Sequence, residues 1–470
     1  TTTPTKHILI LGAGTFGLST ALHLLQRHAG TGKVRVTVLD RAAELPARDA
    51  ASVDLNKVVR SCYTDKFYTR LAREAIAAWK APEWAGCYHE SGILLLKNTT
   101  TSPDVDPAYA NDRALGARTS LLPDAAAVRA ALGVEGAFPA PVPFDPTTPT
   151  PAYTASLNHD GGWAEAARAM RVLLARVRAA GGRVLGGREA RGVVRRAGRC
   201  VGVRVWVGAG HEEVYEADVV VLAVGAWTAS AFRELGLDAR CLATGQSVAT
   251  IQLTPDEAAL YRDCPVFLNF ETGFYVFPPN EDNIVKFALH AAGHTHPTAT
   301  PCSHPPPTTT VAPTPPVPCI PPAPPPRGIS TPRTVLSHPD GGDGLRIPRS
   351  VARELREHLR DVYPRLAEKP FLGTRLCWYT DSPDSDWVIG AYPGDPSLFL
   401  ATSGSGHAFK FLPIIGSIVA DAIEGKLDPA IAKKFAVDRA IAPGVLAERN
   451  TRPIRELDLA ELCLPEDLLP

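Results

Sequence analysis

The sequence predicts an α/β protein in which a domain built on a parallel sheet is interwoven with an α+β domain built on an antiparallel sheet. The first observation is at residues 7–40, where a continuous apolar run is followed by glycines, a helical repeat and a second strand. The second is the pair of buried-strand patterns at 215–225 and 399–406, because strands of one sheet so far apart in sequence require inserted segments. The third is a hairpin pattern at 273–290.

Both domains are expected to be discontinuous, since 470 residues exceed what one simple core usually needs. The segments assigned to the domain with the parallel sheet are 1–60, 151–235 and 341–440. The segments assigned to the second, substrate-binding domain are 61–150 and 236–340, with 441–470 as a C-terminal tail.

The composition is that of an ordinary globular protein and excludes several functional classes. Lys+Arg and Asp+Glu both total 49, so no global charge attracts nucleic acid or an anionic membrane. The nine Cys residues show no metal-ligand spacing, which favours free thiols in a reducing compartment. The sequence has no apolar run of about 18 residues, no signal-peptide pattern and no SKL-type ending. We therefore expect a cytoplasmic protein with no metal site, no membrane segment and no nucleic-acid partner.

Residues 7–40 contain a dinucleotide-binding fingerprint. The run HILIL at His7–Leu11 predicts a strand buried on both faces. In the following Gly-Ala-Gly-Thr-Phe-Gly, the first glycine permits a tight turn, the second lets the backbone approach a pyrophosphate, and the third allows close helix–strand packing. An acidic residue ends the next strand, Val34–Asp40, where a carboxylate binds ribose hydroxyls. The residues predicted to contact the cofactor here are Gly12, Gly14, Thr15, Phe16, Gly17 and Asp40.

A simple tight turn is the alternative to this Rossmann-type unit, but both strands, the helix and the acid agree with cofactor binding. The choice between NAD and FAD depends on later segments, because FAD proteins return to the cofactor with distant parts of the chain. The buried run at 219–225 ends in Gly225, and a glycine-rich turn at 403–406 follows another buried strand. Both features favour FAD.

Residues 297–333 differ in composition from the rest of the chain. Their many prolines cannot donate the hydrogen bonds of strands and helices, so the sequence predicts an extended, mobile surface insertion. Two interpretations remain open, a loop expansion without a partner and a proline-rich ligand for an SH3-type domain.

Four motifs occur in order along the chain. They are the fingerprint with AASVDLNKVVR at 50–60, GFYVFP at 273–278 with IVKFALH at 284–290, RLCWYTDSPDSDW at 375–387, and SGSGHAFKF at 403–411. Together they resemble the FAD-dependent amine oxidase family of sarcosine oxidase, fructosyl-amino-acid oxidase (amadoriase) and the fungal pipecolate and saccharopine oxidases. The resemblance covers about residues 6–440, apart from the proline-rich insertion.

The resemblance implies roles for residues on the substrate side. Arg60 and Lys410 are expected to bind the substrate carboxylate, although Arg60 taken alone would be interpreted as a solvated surface charge. Lys286 is expected beside the flavin, where its charge promotes the reaction of reduced flavin with oxygen. Tyr275 and His290 are expected to line the substrate pocket, although His290 taken alone would be interpreted as a structural histidine.

The resemblance also implies how the cofactor is held. Cys377 is expected to carry FAD through a thioether, whereas a single Cys taken alone is usually a buried free thiol. Lys57 is expected near the flavin ring. The other residues expected to contact FAD are Gly225, Gly404, Gly406 and His407. Ala408 replaces a glycine that is common in the family, which is a small departure.

These features imply an FAD-dependent oxidase that cleaves the C–N bond of an N-substituted amino acid, with O2 as the acceptor and hydrogen peroxide as a product. The substrate stays open between an N-alkyl or cyclic amino acid or saccharopine, which we favour, and a fructosyl amino acid. Residues 275–278 and His290 favour the former, and residues 54–57 with 377–378 favour the latter. An NAD(P)-dependent dehydrogenase and a non-catalytic flavin-binding interaction protein are the alternatives from other classes.

Overall fold

The computed structural model describes residues 5–98, 106–139, 153–208, 211–298, 328–441 and 453–470. The strands in these ranges are β1 Lys6–Leu11, β2 Val34–Leu39, β3 Asn56–Val59, β4 Tyr88–His89, β5 Ile93–Asn98, β6 Thr119–Leu122, β7 Tyr153–Asn158, β8 Gly162–Glu165, β9 Arg183–Leu185, β10 Glu189–Arg196, β11 Arg199–Trp206, β12 Glu212–Glu216, β13 Val219–Leu222, β14 Leu242–Gln252, β15 Val266–Asn269, β16 Phe274–Val276, β17 Ile284–Leu289, β18 His294–Thr295, β19 Pro297–Thr298, β20 Ile329–Ser330, β21 Gly373–Asp381, β22 Val388–Tyr392, β23 Asp395–Thr402 and β24 Arg455–Glu456. The α-helices are α1 Thr15–Arg27, α2 Lys66–Trp79, α3 Pro107–Ala114, α4 Ala125–Leu132, α5 Ala166–Ala179, α6 Thr228–Ala231, α7 Pro255–Tyr261, α8 Arg349–Val362, α9 Pro364–Ala367, α10 Ile415–Ile423 and α11 Pro429–Phe435. None of the helices in these ranges has the length and hydropathy that a membrane crossing requires.

Six strands form the predicted parallel sheet, in the order β22–β23–β13–β1–β2–β9. Neighbouring strands are parallel except for β22, which runs antiparallel to β23 at the edge. Helices α1, α5 and α10 cover one face, and the small sheet β10–β11–β12 covers the other. Because β1 is covered on both faces, residues 8–11 form one unbroken apolar run. The strand–helix–strand prediction for 7–40 is confirmed.

The prediction of a single strand at 215–225 is wrong. Tyr215 belongs to β12, which pairs antiparallel with β11, whereas β13 lies in the parallel sheet. The chain changes sheets between Ala217, whose N–H still bonds to β11, and Asp218, whose N–H bonds to β1. Hydropathy did not reveal this break, because an apolar run starts directly after it.

Ten strands form the second sheet, in the order β24–β18–β14–β17–β16–β15–β5–β7–β6, with β21 also paired to β14. Most pairs are antiparallel, and the hairpin predicted at 273–290 is confirmed as β16 and β17. Helices α4, α7 and α8 pack into an apolar core on one face. On the opposite face Tyr275, Ala288 and Cys377 pack together. This second face is turned toward the site described below.

Strand pairing and core packing place three segments in a different domain from the one expected. Strands β7 and β21 lie in the ten-stranded sheet, although 151–235 and 341–440 were assigned to the other domain. Helix α2 packs into the apolar core of the parallel-sheet domain, although 61–150 was assigned to the second. We propose that the two domains interweave more often than those boundaries allow.

The described ends of the proline-rich insertion are ordered. Strands β19 and β20 pair antiparallel, and Arg333 is buried, so the prediction that all of 297–333 lacks regular pairing is wrong at both ends. Pro297 can lie in this pair because a two-stranded ribbon leaves each strand an unpaired edge. Residues 299–327, on which the SH3-type prediction depends, lie outside the described residues.

Residues 453–470 of the expected tail dock onto the second domain. Strand β24 pairs with β18 at the edge of the ten-stranded sheet. The Leu468 carbonyl accepts hydrogen bonds from the Phe371 N–H at 2.8 Å and from Arg356 Nη2 at 2.9 Å. This part of the chain therefore completes the second domain.

Candidate active site

A cleft lies at the carboxyl end of the parallel sheet, where that sheet meets the ten-stranded sheet. With the open space at its mouth included, the cleft holds about 1270 Å³ that protein atoms do not occupy. Ten of the twelve residues predicted to contact the cofactor line it, namely Gly12, Gly14, Thr15, Phe16, Asp40, Lys57, Gly225, Gly404, Gly406 and His407. The other two, Gly17 and Cys377, lie next to lining residues Phe16 and Trp378 in the chain. Ligands of open α/β sheets bind at this edge.

The glycines of the fingerprint meet three different spatial demands. Gly12 has φ +98°, and a Cβ there would lie 2.4 Å from the Ala223 carbonyl oxygen. A Cβ on Gly17 would lie 1.9 Å from the carbonyl oxygen of Gly12. Gly14 faces open space, with its nearest neighbour, Ser52 Oγ, 3.8 Å from the position of a Cβ. It precedes α1, whose N-terminus has no side-chain cap, so the first N–H groups of that helix can bind a pyrophosphate.

Asp40 lies at the end of β2, as predicted. Its Oδ2 accepts a hydrogen bond from the Ala13 N–H at 2.8 Å, and its Oδ1 accepts one from the Ala42 N–H at 2.9 Å. Burial raises the pKa of this carboxyl, and the two N–H groups partly offset the effect. Each oxygen keeps a lone pair for a ribose hydroxyl. At the same end of the cleft, the Arg41 guanidinium stacks 4.0 Å from the ring centroid of Trp227. The glycine cradle and this carboxylate fit the dinucleotide part of FAD.

Lys286 is fully buried and is bonded to two oxygens from the segment around β3. Its Nζ donates to Asp54 Oδ2 at 2.7 Å and to the Asn56 carbonyl at 2.6 Å. Lys57 Nζ donates to the same Asp54 oxygen at 2.8 Å and lies 3.5 Å from Cys377 Sγ. The structure therefore brings together three predicted residues from distant segments, because Lys286 and Lys57 share one carboxylate oxygen and Cys377 lies beside Lys57.

The charges in this cluster follow from burial and pairing. Burial lowers the pKa of Lys286 to about 8, and Asp54 opposes that effect. Against the effect of burial, Lys286 and Lys57 hold the pKa of Asp54 well below its usual range. Asp54 in turn raises the pKa of Lys57 above its usual value despite burial. Asp54 and Lys57 are thus charged at neutral pH. Of these three groups, Lys286 has the pKa closest to neutral pH.

Tyr275 and His290 both meet Tyr379, which lines the cleft. Tyr275 forms a side-chain hydrogen bond with Tyr379, and burial raises the pKa of its phenol well above the usual value. The ring centroids of His290 and Tyr379 are 5.9 Å apart. A Cβ on Gly406 would lie 2.7 Å from His290 Cε1, so the glycine turn packs directly against this histidine.

Arg60 and Lys410, the predicted carboxylate ligands, meet at the ring of Tyr63. The Arg60 guanidinium lies 4.3 Å from the ring centroid, and Lys410 Nζ lies 5.2 Å from it. Lys410 Nζ donates to the Tyr63 hydroxyl at 2.7 Å and to the carbonyl of His407, a lining residue of the cleft, at 3.0 Å. Burial, and then the charge of Arg60, lower the pKa of Lys410 well below its usual value.

Sequence reasoning assigned no role in this site to Asp54, Tyr63 or Tyr379. Asp54 and Tyr379 lie inside motifs that were recognised, but neither was assigned a contact. A signal for Asp54 existed, because a buried lysine needs a partner and no acid lies near Lys286 on its own strand. Asn56 was also assigned no role, and its fully buried side-chain amide has no hydrogen-bond partner among the described residues.

The fold and the cleft define a class, an α/β protein that holds a dinucleotide beside a second sheet carrying a buried lysine. A family model described as FAD dependent oxidoreductase (DAO) matches residues 7–422, and the chain belongs to this family. It is an FAD-dependent oxidoreductase. The predicted family and fold class are confirmed.

Relatives and solved structures agree with this assignment. L-saccharopine oxidase of Schizosaccharomyces pombe is 28% identical over 90% of each chain. The amino acid oxidase imqH of Aspergillus flavus is 28% identical over 90% of this chain and 95% of its own. The crystal structure of a modified fructosyl peptide oxidase from Aspergillus nidulans in complex with FSA has a TM-score of 0.77 and 27% identity, covering 98% of this chain and 99% of its own.

Proposed function

We propose that this protein is an FAD-dependent oxidase that cleaves the C–N bond of an N-substituted amino acid. One observation carries the proposal, namely that the cations of Arg60 and Lys410 are held at the ring of Tyr63, beside the cofactor cleft. Two like charges held together suit an anionic substrate group, and the carboxylate of an amino acid supplies one. The relatives named for saccharopine, amino acids and fructosyl peptides support this substrate class.

The chain's own residues bind and orient the substrate. Arg60 and Lys410 clamp the carboxylate, which fixes the position of the amine and of the α-hydrogen. The amine must be neutral, because its lone pair drives the loss of a hydride from the neighbouring carbon. That carbon loses a hydride and the nitrogen loses a proton, giving an imine that water hydrolyses. No side chain is required as a general base in this scheme.

FAD, when bound, supplies the redox chemistry by accepting two electrons from the substrate and passing them to O2. Oxygen gains two electrons and two protons and leaves as hydrogen peroxide. Lys286 holds a positive charge that stabilises negative charge developing on oxygen. Tyr275 and His290 line the substrate pocket beside Tyr379.

The test is release of hydrogen peroxide by the purified protein with two sets of substrates. One set holds N-methyl amino acids, pipecolate and saccharopine, and the other holds fructosyl-valine and fructosyl-lysine. Peroxide from the first set alone supports the favoured substrate class, and peroxide from the second set alone supports the deglycating alternative, which the likeness to fructosyl peptide oxidase favours. A yellow protein that turns over neither set would favour a flavin-binding interaction protein, and a colourless one would contradict the use of FAD.

We further propose that FAD is attached covalently through Sγ of Cys377. This thiol is 1% exposed, and its Sγ lies 3.5 Å from Nζ of Lys57, a residue that lines the cofactor cleft. A thioether would hold the flavin ring in place and raise its reduction potential.

Cys377→Ser is therefore expected to release its flavin on denaturation, whereas the wild type keeps it. The measurements are flavin fluorescence of the band in a denaturing gel and the mass of the intact chain. Cys264→Ser is the matched control, because Cys264 is also buried but packs in the core on the other face of the sheet. Complete loss of flavin from the denatured wild type would contradict the attachment.

The reaction with oxygen is expected to slow as pH rises through about 8. Burial lowers the pKa of Lys286 to about 8, so the ammonium is present below that pH and lost above it. Lys57 stays charged over the same interval, since its pKa is raised. The measurement is the rate at which substrate-reduced enzyme reacts with oxygenated buffer at a series of pH values. A rate that is flat or rises across this interval would contradict the role of Lys286.

A further inference from the structure

Tyr63 lies between the two cations of the site and is held firmly in place. It follows β3 by four residues, and its carbonyl accepts hydrogen bonds from Thr69 Oγ1 at 3.0 Å and from Asn111 Nδ2 at 3.1 Å. Its ring packs against Tyr68 and Phe411 at centroid distances of 5.4 and 6.3 Å. The side chain is half-buried, so it forms a fixed surface rather than a free arm.

The hydroxyl of Tyr63 has a defined hydrogen-bond direction. His407 Nε2 lies 2.9 Å from the Ser385 carbonyl, which can only accept, so Nε2 carries the hydrogen. An ammonium can only donate, so the Tyr63 oxygen accepts the hydrogen bond from Lys410 Nζ at 2.7 Å. The hydroxyl hydrogen of Tyr63 is then left for another acceptor, and His407 Nδ1 lies 3.3 Å from the hydroxyl.

The same side chain limits the movement of both cations. The two acceptors of Lys410, the Tyr63 hydroxyl and the His407 carbonyl, are neutral, so they direct its N–H groups without cancelling its charge. The third N–H of the ammonium is then available for an anion. The face of the Tyr63 ring attracts the Arg60 guanidinium, which lies 4.3 Å from its centroid.

We propose that Tyr63 is a positioning residue for the substrate carboxylate, with its ring holding Arg60, its hydroxyl directing Lys410, and its bond to His407 setting both relative to the cofactor cleft. The inference rests on the proposed function, because it assumes that a carboxylate is the group bound there. A tyrosine that only filled space would affect folding but would not distinguish carboxylates from other ligands.

Tyr63→Phe tests the hydroxyl, because it keeps the ring under Arg60. We expect KM to rise roughly tenfold or more while kcat changes far less, since hydrogen bonds to charged groups are strong. The basic limb of the pH profile of kcat/KM is expected to move to lower pH, because the ammonium form of Lys410 loses one hydrogen-bond acceptor and the pKa of Lys410 falls. Tyr63→Leu removes the ring as well and is expected to raise KM further.

Binding of cyclohexanecarboxylate gives a readout that does not depend on turnover, because this anion has a carboxylate but no nitrogen to oxidise. Its Kd, from the change in flavin absorbance or from thermal shift, is expected to rise roughly tenfold or more in Tyr63→Phe. The matched control is Tyr392→Phe, since the Tyr392 hydroxyl bonds to the Leu235 carbonyl at the far edge of the parallel sheet.

Three outcomes would overturn the inference. In the first, Tyr63→Phe leaves both the Kd of cyclohexanecarboxylate and the basic limb of the kcat/KM pH profile unchanged. In the second, Tyr63→Phe lowers kcat and thermal stability but leaves KM unchanged. In the third, Tyr392→Phe weakens cyclohexanecarboxylate binding as much as Tyr63→Phe does. The proposed function fails by a different result, namely a wild type that gives no peroxide with any amino-acid substrate.

Discussion

Replacing Lys286 by Met is expected to slow the reaction of the reduced enzyme with oxygen on the order of 100- to 1000-fold, the range seen when one preorganised electrostatic group is removed. Anaerobic reduction by substrate is expected to change little. The reason is positional, because Lys286 lies on the sheet face that carries Cys377, whereas the two cations expected to bind substrate meet at Tyr63.

The variant is a clean test because its fold should survive. Asp54 keeps Lys57 as a partner at 2.8 Å, so the substitution does not leave an unpaired buried carboxylate. Met has a length similar to that of Lys and suits a site with 0% exposure. The Asn56 carbonyl does lose one hydrogen bond, which a thermal unfolding curve would register.

Stopped-flow absorbance separates the two half-reactions. One experiment mixes oxidised enzyme with substrate without oxygen, and the other mixes reduced enzyme with oxygenated buffer. Lys369→Met is the matched control, since Lys369 pairs with Glu257 at 2.6 Å on the outside of the second domain. Equal losses in both half-reactions would show that Lys286 supports the architecture of the site rather than the oxygen step.

The parts of the fold that could be predicted are those whose cause is local. A strand covered on both faces must be apolar throughout, and a pyrophosphate loop needs glycine where Gly12 and Gly17 would otherwise clash with backbone atoms. The hairpin of β16 and β17 is likewise local, because both of its paired strands lie within residues 274–289. The change of sheet at Ala217 could not be predicted this way, because it depends on which strand lies alongside.

The candidate site was predictable residue by residue but not as a set of contacts. Lys286 was expected beside the flavin, yet the carboxylate that pairs with it, Asp54, is 232 residues away and was not assigned to it. This pairing is set by how the segment before β3 packs against the ten-stranded sheet, which no local pattern encodes. Tyr63 shows the same limit at short range, since only the path of the chain after β3 brings its ring under Arg60.

Replacing Lys410 by Met is expected to raise KM roughly 10- to 100-fold, with a smaller effect on kcat. Loss of a charge-assisted hydrogen bond to a carboxylate corresponds to about 1.5–3 kcal/mol, which is the free energy behind that range. Arg60→Met is expected to act in the same direction. The double variant should be less than additive, because both cations bind one carboxylate and repel each other in its absence.

A substrate and its methyl ester provide the decisive comparison, because the ester keeps the amine and the α-hydrogen but lacks the negative charge. Wild type is expected to prefer the acid strongly in kcat/KM, and Lys410→Met is expected to lose most of that preference while oxidising the ester about as well as wild type. Lys369→Met is again the matched control, since Lys369 pairs with Glu257 on the outside of the second domain. If Lys410→Met lowers acid and ester turnover equally, Lys410 holds the glycine turn through the His407 carbonyl and does not bind the carboxylate. Retention of the preference in both single variants would place the carboxylate elsewhere in the cleft and contradict the clamp itself.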